Sequence, residues 1–218
     1  MIALHRFWTI VVIGLYCAAL PQAPAAETTA KSITMVVMDP LAKPLSCPCV
    51  QGYAQRDYQQ LADALSERLG CQVKWVANES LTAAMKKQTG GQADLVIGKY
   101  SVIMFDAKRA NVDLRPVATL TGKDGTTTMT GLVVVPTADP AESVADLSGV
   151  RLVFGTQECD EKHAAAITLL KKHGIQVPDD LETSQACSEG AISILEEAAQ
   201  GQRGAAVISS YARPLLEG

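Results

Sequence analysis

From Ser32 onward, short runs rich in β-branched residues alternate with segments of helical period, and this alternation narrows the fold more than anything else in the chain. Residues 33–38 read as a buried strand. A loop through Pro40, Pro44 and Pro48 follows, then a helix over about 53–69 with Leu61, Leu65 and Leu69 on one face and Gly70 to end it. Residues 72–76 make the next strand, Asn78 caps a helix over 80–88, and 94–97 is a third strand running into Gly98-Lys99-Tyr100.

The second half repeats this grammar. Strand 151–154, helix 163–173, a short strand 181–184, helix 189–199 and strand 205–208 follow one another, and the last runs into Ser209-Ser210-Tyr211. The two halves end alike, on Ala-Asp-Leu-Val-Ile-Gly-Lys-Tyr from Ala93 and on Ala-Ala-Val-Ile-Ser-Ser-Tyr from Ala205. Between them lie a strand over 114–120, a polar stretch over 121–128 and a strand over 129–135. That stretch suits either a hinge between lobes or an ordinary hairpin loop. The expected fold class is α/β, two-lobed, each lobe a βαβ-type and mainly parallel sheet flanked by helices, with lobe 1 over 32–122 and lobe 2 over 123–218.

In open parallel sheets, ligands bind beyond the carboxyl ends of the strands. The candidate ligand residues there are Lys99 and Tyr100 in the first half, and Ser209, Ser210 and Tyr211 in the second. Tyr53, at the start of the first long helix, is a further candidate donor. Strand 151–154 leads into Gly155-Thr156-Gln157-Glu158-Cys159-Asp160-Glu161-Lys162-His163, which opens a helix closed by Gly174. This layout aims a helix N-terminus at a ligand, and Thr156, Gln157, Glu158 and Cys159 are its candidate contacts. Acidic residues in a first helical turn are also favoured by the helix dipole, so Asp160, Glu161 and Lys162 are equally consistent with a water-facing turn. A carboxylate at Glu158 would repel a free anion.

Residues 1–26 read as a signal peptide. Arg6 precedes an apolar run to Leu20, too short to span a bilayer, and Ala23-Pro24-Ala25-Ala26 offers small residues for cleavage. The mature chain then carries 18 basic and 23 acidic residues, a net charge of −5 once Arg6 is gone, with no basic stripe for nucleic acid. A periplasmic or otherwise exported protein follows, with no later segment long enough to span a bilayer. Export permits disulfides, and of the five cysteines left, Cys159 and Cys187 are the expected pair, both lying in loops just past neighbouring strands. Cys47 and Cys49, split only by Pro48, are poorly placed to bridge each other. With Cys159 and His163 they form a weak candidate metal set; no cofactor is expected.

In order and spacing, several segments together resemble the periplasmic substrate-binding proteins of phosphate, phosphite and phosphonate ABC transporters, of the type II periplasmic-binding-protein fold. They are Tyr58-Gln59-Gln60-Leu61-Ala62-Asp63-Ala64-Leu65, Ala93-Asp94-Leu95-Val96, Arg115-Pro116-Val117-Ala118, Gly131-Leu132-Val133-Val134-Val135, and Ala206-Val207 near Ser210-Tyr211. The resemblance implies two lobes clamping a small-molecule or oxyanion ligand, and an ABC-transporter permease as partner. It also implies a return to the first lobe after Tyr211, so either the first lobe is completed in some unusual way or, as expected here, the chain is a truncated version of a longer protein. Two departures alter the expected ligand chemistry. The loop matching 156–163 is acidic where such binders carry serines and threonines, and Ser209 stands where they place an acidic residue before Ser210-Tyr211.

The reading is therefore a noncatalytic solute binder. The alternatives are a metal-binding or thiol redox module built on Cys47-Pro48-Cys49, and a cysteine-dependent enzyme using Cys159 with a thiolate favoured by the helix N-terminus.

Overall fold

A computed structural model describes residues 32–46, 50–52, 54–122, 124–186 and 188–216. The signal-peptide segment 1–26 and the candidates Cys47, Cys49, Tyr53 and Cys187 lie outside the described residues.

The first sheet holds β1 (Ser32–Met38), β2 (Gln72–Ala77) and β3 (Leu95–Gly98) in the order β2-β1-β3, all parallel. β1 lies in the middle, covered on both faces, which is why it reads as an unbroken apolar run. Its Met35 and Val37 pack with Tyr58 and Ala62 of α1 (Tyr58–Leu69), while Val36 and Met38 pack with residues of α2 (Leu81–Lys87) and α3 (Tyr100–Ala110). Asp57 caps α1 by accepting from the Gln59 amide at 3.0 Å, and Gly70 ends it in the left-handed region at φ 62°. The capping residue of α2 is Ser80, not Asn78, whose Oδ1 accepts from the Ser80 amide at 3.0 Å and so shapes the turn into the cap.

The second sheet has the order β4-β7-β5-β6, from β4 (Gly131–Val134), β5 (Arg151–Gly155), β6 (Glu182–Ser184) and β7 (Gly204–Ser209). β5, β6 and β7 are parallel, and β4 runs antiparallel along β7. Alternation again sorts the faces. Ala205 and Val207 join Phe154 and the α4 (Ala164–Lys172) residues Ala166 and Leu170, whereas Ala206 and Ile208 join Ala191 and Ile194 of α5 (Glu189–Ala198).

Two expectations need correction. Residues 114–120 form no strand, and Val117 stands 70% exposed and Leu120 40% exposed. A strand is stabilised by its partner, and this segment pairs with none among the described residues. The helix α3 is absent from the sequence-based expectations, because Lys99 caps it without a side-chain hydrogen bond and so leaves no capping signature.

Asp39, just past β1 and buried, fixes the long loop that follows. Its Oδ1 accepts from the Leu41 amide at 3.0 Å, and its Oδ2 accepts from Arg56 Nη1 at 2.9 Å and the Tyr58 hydroxyl at 2.7 Å. Burial, ahead of the nearby Asp39 charge, pushes the Tyr58 phenol well above its ordinary range.

Candidate functional site

The carboxyl ends of the two sheets meet at Lys99. This residue follows β3, and its side chain reaches groups that all belong to the second half of the chain. Nζ lies 2.5 Å from Glu161 Oε1, 3.5 Å from Ser209 Oγ and 4.0 Å from Cys159 Sγ, and sits 5.6 Å from the centre of the Tyr211 ring. Ser209, the last residue of β7, donates its hydroxyl to the same Glu161 oxygen at 2.6 Å. The Lys99 and Glu161 side chains are 9% and 8% exposed, so this is a buried ion pair.

Local backbone explains the placement of Glu161. After β5 the chain turns through Thr156–Cys159, with the Cys159 amide on the Thr156 carbonyl at 2.9 Å, and then folds back so that the Gly155 amide donates to the Lys162 carbonyl at 3.1 Å. His163 Nδ1 donates to the Gly155 carbonyl at 2.9 Å and its ring meets Phe154 edge-on. This return holds Glu161 and Lys162 inside rather than in water, contrary to the plain reading of an acidic helix start. It requires close backbone approach: a Cβ at Gly131 would lie 1.8 Å from the Glu161 carbonyl oxygen, and one at Gly155 would lie 2.4 Å from Lys162 Cβ.

Electrostatics follow from burial against partners. Burial alone would push Lys99 down, but the Tyr211, Glu161 and Cys159 groups outweigh it and hold the ammonium above its ordinary value of 10.5. Burial would likewise push Glu161 up, yet the Lys99 charge and the hydrogen bonds from Lys99 and Ser209 hold its carboxyl below its ordinary value of 4.5. A carboxyl whose folded pKa is lowered adds stability above its unfolded pKa and loses it as pH falls through the folded one. A raised lysine adds stability below its unfolded pKa and loses it as pH rises through the folded one. Urea midpoints of the wild type and of Glu161→Gln should therefore differ near neutral pH and converge as pH falls below 4.5. A difference that stays constant from pH 7 to pH 3 would show that the pair contributes nothing through its charge.

Of the other expected site residues, Thr156 is half-buried with Oγ1 3.8 Å from Cys159 Sγ, and Glu158 and Ser210 are half-buried. Gln157 is exposed, and Tyr100, at the start of α3, is 67% exposed. Tyr211 is half-buried against Lys99. Cys159 is a free thiol whose sulfur faces Lys99 and Thr156, and Cys187, its expected partner, lies outside the described residues. Among the described residues no group of three or more His, Cys, Asp and Glu could hold a metal ion, and the His163 ring nitrogen Nδ1 is already engaged by Gly155. Glu161 is the site residue missing from the sequence-based candidates. Its Lys99 partner is 62 residues away, and no local pattern pairs them.

Two mainly parallel sheets flanked by helices, meeting at the carboxyl ends of their strands, define the type II periplasmic-binding-protein fold. A family model described as "ABC transporter, phosphonate, periplasmic substrate-binding protein" matches residues 51–217, and the chain belongs to that family. A solved structure similar in fold is the binding protein component of an ABC phosphonate transporter from Pseudomonas aeruginosa, with a TM-score of 0.52 and 12% identity over 86% of this chain and 60% of that one. Another is the periplasmic aliphatic sulphonate binding protein SsuA from Escherichia coli, with a TM-score of 0.48 and 17% identity over 86% of this chain and 54% of that one. This chain thus matches little more than half the length of either. No curated protein matches it significantly. No helix among the described residues is long and apolar enough to cross a membrane.

Proposed function

We propose that this chain is the exported solute-binding component of an ABC-type uptake system, holding a small ligand between lobes 32–122 and 123–218 and handing it to a membrane permease. The observation that carries this reading is the convergence at Lys99, where groups from the carboxyl ends of both sheets surround one cation at the position where α/β sheets bind ligands. Lys99, Thr156, Cys159, Ser209, Ser210 and Tyr211 are the proposed contacts, with Tyr100, Gln157 and Glu158 at the mouth. The turn after Leu120, in which the Gly122 amide donates to the Thr126 carbonyl at 2.7 Å, is the proposed hinge.

The ligand chemistry is phosphonate-like with an altered charge balance, since a carboxylate already stands beside the lysine. Ser209 does not supply the acidic group that the resemblance expects before Ser210. Glu161 brings a carboxylate to the same spot, 2.6 Å from the Ser209 hydroxyl.

Thermal melts of the mature chain against phosphonates, phosphite, phosphate, sulfonates and amino acids test this reading. A ligand at about a hundredfold excess over Kd should add about 2.7 kcal/mol. That corresponds to a rise in Tm of roughly 5–10 °C for a domain of this size. A melting temperature unmoved by every compound would refute the solute-binding reading.

A further inference from the structure

We propose that Glu161 is a built-in competitor for Lys99: its carboxylate holds the place of an oxyanion, and the Lys99–Glu161 pair latches the two sheets together until a ligand anion displaces it. The inference rests on the solute-binding reading and concerns the regulation of that same cleft.

The chemistry of the contact is that of a bound anion. A carboxylate oxygen accepts from an ammonium at 2.5 Å and from a serine hydroxyl at 2.6 Å, which is how a phosphonate or phosphate oxygen would be held. The anion here is the protein's own. An entering oxyanion offers the same acceptors and must take the same donors, so the two compete directly.

Position makes the pair a latch rather than a fixed strut. Lys99 belongs to the first sheet, yet the carboxylate, hydroxyl, thiol and aromatic ring that surround its ammonium all come from the second half of the chain. The Asp160 amide also reaches Ser101 Oγ across the same junction, at 3.4 Å, long for a strong hydrogen bond. Glu161 is fixed by its backbone, which lies against Gly131, whereas Lys99 sits on a flexible four-carbon stem. Losing the pair therefore frees the lysine side and lets the sheets part.

The test compares wild type with Glu161→Gln, which keeps shape and removes charge. Inorganic phosphate and methylphosphonate, neither of which carries an amine, are titrated calorimetrically, and both ligand-free proteins are measured by small-angle X-ray scattering. The variant should bind both anions about tenfold or more tightly, because the competing charge at hydrogen-bond distance is gone. Its ligand-free radius of gyration should exceed that of the wild type. A folded variant that binds both anions no more tightly than wild type overturns the latch, as does one whose ligand-free scattering is unchanged. If another compound still stabilises the wild type in that case, the solute-binding reading stands and only the latch falls. Should Glu161→Gln fail to fold, Glu161→Asp draws the carboxylate back from Lys99 and should raise anion affinity by a smaller factor, about threefold. Unchanged or weaker binding by that variant overturns the proposal too.

Discussion

Replacing Lys99 with alanine should destabilise the chain by about 3–5 kcal/mol and abolish ligand binding, because it leaves a buried carboxylate with no counter-ion. Glu161 would then keep the Ser209 hydroxyl at 2.6 Å and its own backbone amide. Two neutral donors offset only part of the desolvation of an ionised group. The effect belongs to the pair, so it should be non-additive: Lys99→Ala combined with Glu161→Gln removes both charges and should recover much of the lost stability without recovering binding. Urea denaturation of the four proteins in this cycle measures the coupling. A Lys99→Ala variant as stable as wild type would mean that the pair is effectively solvated and is not the centre of a closed cleft.

Gly131→Ala should cost about 3 kcal/mol or more, since the added Cβ meets backbone rather than a side chain able to swing away. The carbonyl oxygen of Glu161 would stand 1.8 Å from it and the carbonyl carbon 2.8 Å. Either β4 shifts along β7, disturbing an antiparallel ladder that runs from Gly131–Ser209 to Val134–Ala206, or the loop carrying Glu161 moves away from Lys99. Both routes reach the site, the first by displacing Ser209 and the second by freeing Lys99, so ligand affinity should change along with stability. Thr119→Ala, on an exposed segment, is the control and should change stability by less than about 0.5 kcal/mol. Denaturant midpoints for the two variants check this, and a Gly131→Ala protein as stable as the control would show that the close approach of β4 to the Glu161 loop is not required.

The parts of the fold legible in the sequence are those with a local or periodic cause. β1 announces itself because burial on both faces demands an unbroken apolar run, and β7 does so through Ala205–Ile208, whose alternate residues serve two different cores. Gly70 marks the end of α1 because the chain turns there at φ 62°. The misses have non-local causes. Residues 114–120 have strand composition but pair with no strand among the described residues, and composition cannot supply a partner. α3 begins at a lysine that caps it with no side-chain bond, so the capping grammar is silent.

The site divides along the same line. In the candidate site, Lys99, Ser209 and Tyr211, which the structure brings together, were accessible from the rule that ligands meet the carboxyl ends of parallel strands. Glu161 was not, because an acidic residue at a helix start normally faces water and favours the dipole without any partner. What turns it inward is the pairing of the Gly155 amide with the Lys162 carbonyl and the absence of a side chain at Gly131. Cys159 shows a further limit of such reading. Its place beyond β5 suggested a bridge to the neighbouring loop, whereas the turn aims its sulfur at Lys99 and Thr156.

The central claim is that the ligand sits at Lys99, where the two sheets meet. A crystal structure of the mature chain with whichever compound raises its melting temperature tests this most directly. The account predicts a polar ligand atom within hydrogen-bond distance of Lys99 Nζ, with the 2.5 Å contact between Lys99 and Glu161 broken. A ligand bound elsewhere, with the Lys99–Glu161 pair intact, would contradict it.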